Sequence, residues 1–482
     1  MEIYQKGSED RGIDYSRKWY AMAAVAMGIF LGTIDASIVN IALPTLVKEL
    51  NTEFSTVQWV VLSYLLTITT LMLGTGRVAD IFGKKHIYIW GIAIFTIGSL
   101  LCAISPNVYW LIAFRIFQGI GSVMMMALGA GIVSEAFPPS ERGKSLGFIG
   151  SIVSIGIVAG PVFGGIIINF LSWPWIFLVN LPVGIAGIII SVKFVPSSKP
   201  RGGQKFDFAG ASFLFISILT LLLALTFGQR VGFANTYIYL LFSVFVVFLG
   251  AFIIVQLKVK NPLIDVRLFR RGLLSINFFM GFSSYLTLAG IILLMPFYLG
   301  NILGLSPGTM GLMLSVVPIC AGIFSPIAGS LSDRYGTWII NAIGLAFIFL
   351  SYLVAQTLNE NTSIIEYILV FIPLGIGMGT FQSPNNSAIM HSFPRENFGI
   401  ASSLLAITRT LGQTSGIAVI GAIWAGRVAY YSGEIKKIAP TKAKVMDQVS
   451  GIHDVFLVSA VLIFISIFLA IWGYFKSKRN EK

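Results

Sequence analysis

Charge is scarce in this sequence. Lys, Arg, Asp and Glu make up only 11% of its 482 residues, against about 25% in a soluble domain, too few to coat a compact particle of this size. Cysteine is equally scarce: Cys102 and Cys320 each lie in an apolar run, so neither a disulfide framework nor a Cys-rich metal site is expected. The three histidines, His86, His391 and His453, fall at or near the ends of apolar runs and form no intramembrane pair for a metal or haem. No polar segment is long enough for a separate soluble or signalling domain. Pro138-x-x-x-x-Gly143-Lys144-Ser145 is one residue short of a phosphate-binding loop and follows a predicted helix rather than a strand. With no nucleotide site, no cluster of His, Asp or Glu within the bilayer and no filter motif, enzymes, ATP-driven pumps and ion channels are all disfavoured.

Hydrophobicity fills the space that charge leaves. The chain is 56% hydrophobic, with a mean hydropathy of +0.85. Its apolar runs of about 20 residues match the helix length that crosses a hydrocarbon core. Fourteen such spans are predicted between 19 and 475, making an all-α polytopic membrane protein. The first run has full spanning length behind Lys6, Arg11, Arg17 and Lys18, which reads as an uncleaved signal anchor. If the N-terminus is inside, 24 of the 33 Lys and Arg fall in cytoplasmic segments, and that bias predicts an N-in/C-in topology. It also explains the net charge of +13 without any nucleic-acid partner.

The chain repeats itself. Gly76, Asp80 and Gly83 recur as Gly329, Asp333 and Gly336 at an offset of 253; Gly119, Gly121, Gly156, Gly160 and Gly165 recur as Gly375, Gly377, Gly412, Gly416 and Gly421 at an offset of 256. Two homologous six-helix halves in the same orientation follow, at 19–194 and 275–475. A linker at 195–274 carries two additional helices. Parallel repeats with a site between them are a transporter design, and neither an enzyme nor a structural protein has an evident need of one.

Several ordered motifs are recognisable. Gly76-x-x-Ala79-Asp80-x-x-Gly83-Lys84-Lys85 resembles the loop signature of the major facilitator superfamily. Arg115-x-x-Gln118-Gly119-x-Gly121 is similar to its fourth-helix motif, and Gly156-x-x-x-Gly160-Pro161-x-x-Gly164-Gly165 to its fifth-helix antiporter motif. Ile34-Asp35-x-x-Ile38-Val39-Asn40 narrows the resemblance to the fourteen-span drug:proton antiporters, as do Trp173-x-Trp175-Ile176-Phe177-Leu178-x-Asn180-x-Pro182 and Pro384-Asn385-Asn386. The resemblance implies a loop that latches the halves on the cytoplasmic side in the outward-open state. Asp80 can meet a basic side chain, Arg142 among the candidates, or the positive N-terminus of a neighbouring helix; Asp333 lies in the equivalent loop, and Lys84 can anchor at anionic headgroups. A loop needed only for topology and folding is the alternative. The resemblance also implies that Gly156, Gly160, Pro161, Gly164 and Gly165 form a bending point against which the other half rocks. Close helix packing alone would need the same glycines.

Charges inside the bilayer are costly unless they serve something. Asp35 and Arg115 fall at similar depth, about 10–13 Å below the outer surface at about 1.5 Å per residue, so they can pair. Burial disfavours a charged carboxylate and a nearby guanidinium favours it, a balance suited to a proton carrier tuned by Arg115. A fixed structural ion pair is the alternative. Asn40, Gln118, Gln382, Asn385, Asn386, Arg409 and Glu366 are candidates for the substrate cavity. The expected function is proton-coupled export of amphipathic small molecules by a multi-pass plasma-membrane monomer in contact with lipid. No cofactor or metal is expected. A dedicated exporter of a lipid, siderophore or other metabolite is the second reading, and a transporter-like sensor the third.

Overall fold

In a computed structural model the described residues are 17–138, 141–196, 207–259, 262, 266–267, 272–393, 398–433 and 439–480. They form fourteen long helices. The first six are α1 (Lys18–Glu49), α2 (Phe54–Phe82), α3 (Lys84–Ala103), α4 (Val108–Ala136), α5 (Arg142–Phe170) and α6 (Trp175–Phe194). Then come α7 (Phe208–Val231) and α8 (Thr236–Lys258). The last six are α9 (Gly272–Ile302), α10 (Pro307–Tyr335), α11 (Thr337–Thr357), α12 (Ile364–His391), α13 (Phe398–Tyr431) and α14 (Val445–Asn480). Thirteen are both long and apolar enough to cross a membrane. The other, α13, has the length at 34 residues; Arg409, Gln413 and a series of threonines dilute its hydropathy.

The internal repeat reappears as packing. In the first half α3 lies on α4, α1 on α5 and α2 on α4; in the second, α11 lies on α12, α9 on α13 and α10 on α12. Glycines at the crossings make this approach possible. A Cβ on Gly121 would sit 2.3 Å from the Phe95 amide nitrogen, and one on its repeat mate Gly377 2.6 Å from the Gly344 oxygen, too close for any side chain. Gly83 and Gly336 also match. Each joins two helices at a φ near +90° (90° and 87°), where only glycine is unstrained.

Prolines break the regular rods. Pro182 has no N–H for the Leu178 carbonyl, and α6 divides there into Trp175–Leu178 and Asn180–Phe194. Pro318 does the same to α10, which breaks at Ser315 between Pro307–Leu314 and Val316–Tyr335.

The halves meet at the end of the bundle remote from the N-terminus. There Phe54 at the start of α2 packs edge-on to Phe297 and Trp424, with centroids 5.0 and 4.8 Å away. All three rings are buried. The late part of α5 crosses the start of α10, and the late part of α13 crosses the start of α2. These two seams are repeat mates. Gly165 faces Pro307 and Gly311, while Gly421 faces Gln58; Gly165 matches Gly421 at the offset of 256 and Gln58 matches Gly311 at that of 253. The additional helix α7 packs on both α2 and α13. It accepts a bond from Trp59 Nε1 at Thr226 Oγ1 (3.2 Å) and donates one from Gln229 Nε2 to Gln58 Oε1 (3.3 Å). It thus covers one seam. Its partner α8 is mostly exposed, with 11% of its spanning window buried, the surface of a lipid-facing helix.

Candidate functional site: a buried polar centre and a central cavity

Two sites stand out, and different elements build them. The first is a polar centre inside the first half. Asp35 on α1 and Arg115 on α4 are both fully buried, and Arg115 Nη1 donates to Asp35 Oδ2 at 2.5 Å. The other carboxylate oxygen accepts from Gln118 Nε2 (2.9 Å) and Asn180 Nδ2 (3.1 Å). Arg115 also donates to Gln118 Oε1 (2.6 Å) and, through Nε, to the Val60 carbonyl (2.9 Å). Ser99 Oγ on α3 accepts from both Gln118 and Asn180. The Tyr64 ring lies under the guanidinium at 4.0 Å, a cation–π contact strengthened by burial. Five helices of one half therefore converge on one carboxylate. Arg115 Nη2 is the exception, buried with no partner.

Local sequence explains the convergence. Arg115 and Gln118 are three residues apart and so share a face of α4. The α6 break places Asn180 at the start of the second segment, turned into the centre. Asn180, Ser99, Tyr64 and Cys102, whose thiol lies 3.7 Å from Gln118 Oε1, are the members of the centre that sequence reasoning misses. Asn180 lies within the Trp173–Pro182 motif; the other three are ordinary constituents of membrane helices and carry no sequence signal of their own.

The second site is a cavity of about 230 Å³ between the halves. Ile29, Met72, Met126, Ala130, Ile149 and Val153 line it from the first half; Tyr285, Asn386, Leu405, Ala406 and Arg409 from the second. These residues lie from mid-depth toward the end that carries the N-terminus, away from the Phe54–Phe297–Trp424 seal. The structure is thus closed at one end of the pathway, with its cavity on the other side of the seal.

Only two of the sequence-derived cavity residues reach this lining, Asn386 and Arg409. Gln118 belongs to the polar centre. Asn40 donates back to Ala36 O on its own helix. Asn385, next to Asn386, is buried and faces Gly281 of α9. Gln382 is half-buried one turn earlier and not part of the lining. Glu366 is corrected: it is exposed and closes a capping box at the start of α12, its carboxylate accepting from the Ser363 amide at 2.7 Å. A Ser three residues before a Glu at a helix start is that motif.

The expected gating residues divide similarly. Gly156, Gly160 and Gly164 face Thr33, Ser37, Ile38 and Ile41 of α1 in their own half, which corrects the expectation that this stripe meets the other half. Pro161 and Gly165, rotated from that stripe, make the crossing contact: a Cβ on Gly311 would lie 2.2 Å from the Pro161 oxygen. Lys84 pairs with Glu135 at the end of α4 (2.5 Å) instead of reaching free toward headgroups. Asp333 is exposed. Gly76 lies within α2; the side chains of Asp80 and Arg142 lie outside what is described, and with them the expected latch pair. Among the described residues no group of three or more His, Cys, Asp or Glu forms a metal cluster.

Comparison with known proteins agrees with this architecture. Residues 25–417 match the Major Facilitator Superfamily, and a second match covers 277–482. The chain is 36% identical over 417 residues to the riboflavin transporter RibZ of Clostridioides difficile, covering 86% of this chain and 90% of the relative. It is 31% identical to the multidrug transporter MdtP of Bacillus subtilis, covering 86% and 76%. Among solved structures, a bacterial homologue of the human lysosomal transporter Spinster, in an inward-facing unoccupied conformation, aligns with a TM-score of 0.66 at 14% identity, over 97% of this chain and 98% of that one. This chain belongs to the Major Facilitator Superfamily. It is a multi-pass membrane transporter of small molecules and not an enzyme, and its bacterial relatives support an inner-membrane location.

Proposed function

We propose that the protein exports amphipathic small molecules in exchange for protons, by alternating access of the cavity between the halves 19–194 and 275–475, as a monomer oriented N-in/C-in. The observation that carries this reading is the pairing of a largely apolar cavity between the halves, sealed at one end, with a carboxylate buried inside the first half. The seal is built from repeat-related seams, so rocking about mid-depth opens one end as it closes the other. In the present state Asp35 is fully buried and held by three donors. Asp35 is assigned as the proton carrier, with Arg115 as the partner that tunes it during the transport cycle. Similarity to the multidrug transporter MdtP supports a broad substrate range.

The test is proton movement in everted vesicles energised to an acid interior. Adding lipophilic cations, neutral amphiphiles and anions in turn is expected to dissipate the gradient for several compounds with wild type and for none with Asp35→Asn. Equal dissipation by the variant would remove Asp35 from the coupling role. A second reading, a dedicated metabolite transporter, is favoured by the similarity to the riboflavin transporter RibZ. Response to riboflavin or one other metabolite, and silence across the unrelated amphiphiles, would select it.

A further inference from the structure

The internal repeat gives the cavity two walls that match in position and differ in chemistry. At the offset of 256, Ala130 matches Asn386, Ile149 matches Leu405 and Val153 matches Arg409, and all six line the cavity. Every lining residue of the first half is apolar. The second half presents Asn386, Arg409 and the Tyr285 phenol. Among the described residues no carboxylate lines the cavity. Arg409 is half-buried about eleven residues into α13, roughly 16 Å from its start at 1.5 Å per residue. It makes no hydrogen bond or ion pair with another described residue. This contrasts with Arg115, which is tied into its own half by three hydrogen bonds.

An unpaired guanidinium in a membrane-buried, largely apolar cavity is electrostatically incomplete. A cationic ligand there meets repulsion in a low dielectric with no acid to offset it. An anionic group instead receives charge-assisted, potentially bidentate hydrogen bonds. We propose that the substrate is an amphiphile with a single anionic end group held by Arg409, its apolar body lying on the wall of Ile149, Val153, Met126 and Met72. Arg409 is then the residue that selects substrate charge. Tyr285 and Asn386 flank the same end group as neutral donors. The inference rests on the transport reading above and narrows its substrate class.

Binding tests it separately from transport. The full chain in lipid nanodiscs is titrated with three naphthyl-hexyl probes that differ only in the end group: carboxylate, primary ammonium or alcohol. Empty nanodiscs serve as the partition control. Hydrogen bonds to a charged group lead us to expect the carboxylate to bind about tenfold or more tightly than the ammonium. Arg409→Gln is expected to erase that ratio, with the alcohol still bound measurably as the sign of an intact cavity; Arg409→Lys is expected to keep part of the preference. Equal or tighter binding of the ammonium to wild type, an unchanged ratio in Arg409→Gln, or no binding of any probe would each overturn the proposal. Uptake of the same probes into everted vesicles reports on the transport reading. Selective binding without movement of any probe would sink that reading and leave the charge preference standing.

Discussion

At the scale of single residues the first half is organised around one fully buried ion pair. Removing one partner of such a pair strands the other in low dielectric and typically costs about 3–5 kcal/mol, whereas removing both is far milder. Asp35→Leu is therefore expected to lower the thermal midpoint of the purified protein sharply. Asp35→Leu combined with Arg115→Met should recover much of that loss. A double variant no more stable than the single one would mean that Asp35 and Arg115 are held independently, by Asn180, Ser99 and Val60. The pair itself was legible in the sequence, because charge in an apolar run is conspicuous and helical rise sets its depth. Its neutral partners were not. A serine or asparagine in a membrane helix looks the same whether it faces a carboxylate or bonds its own backbone, as Asn40 does.

At the scale of elements, one helix carries two different faces. On α5, Gly156, Gly160 and Gly164 hold α1, while Pro161 and Gly165 touch α10 across the boundary. Four-residue spacing is shared by both sets, so spacing alone left open which of them meets the other half. Gly311→Val is expected to block closure of the α5–α10 seam, since the new side chain would meet the Pro161 carbonyl rather than a movable side chain. Spin labels on Glu53→Cys and Tyr430→Cys, with Cys102 and Cys320 replaced, should then report a longer distance distribution in the variant than in the parent. An unchanged distribution would mean the seam does not set which end is closed. The α7 helix covers the opposite seam through Thr226 and Gln229, which gives the central insertion a packing role that its apolar sequence did not reveal.

For the whole molecule, the two ends are unequal: an aromatic seal at one, the cavity on the side of the other. With an N-in orientation this is an inward-facing state. A cysteine at Val153 in a background without Cys102 and Cys320 should react faster with an impermeant maleimide in everted vesicles than in intact cells. The reverse preference would overturn either the orientation or the assignment of the closed end. Substrate or an imposed proton gradient should change the two rates in opposite directions if one cavity serves both sides.

Composition and order of residues alone determined that this chain lives in a membrane, that it has two repeated six-helix halves with two further helices between them, and that Asp35 and Arg115 share a depth. Each follows from a local or periodic property: the length of an apolar run, the offset between glycines, the rise of a helix. Tertiary structure decided which residues share a space. It put Gln118 in the polar centre, Arg409 in the cavity and Glu366 at a helix cap. Those outcomes depend on how each helix is rotated about its axis, and that rotation is set by packing against several neighbours at once. Helices that are apolar on nearly every face leave it almost unmarked in the sequence.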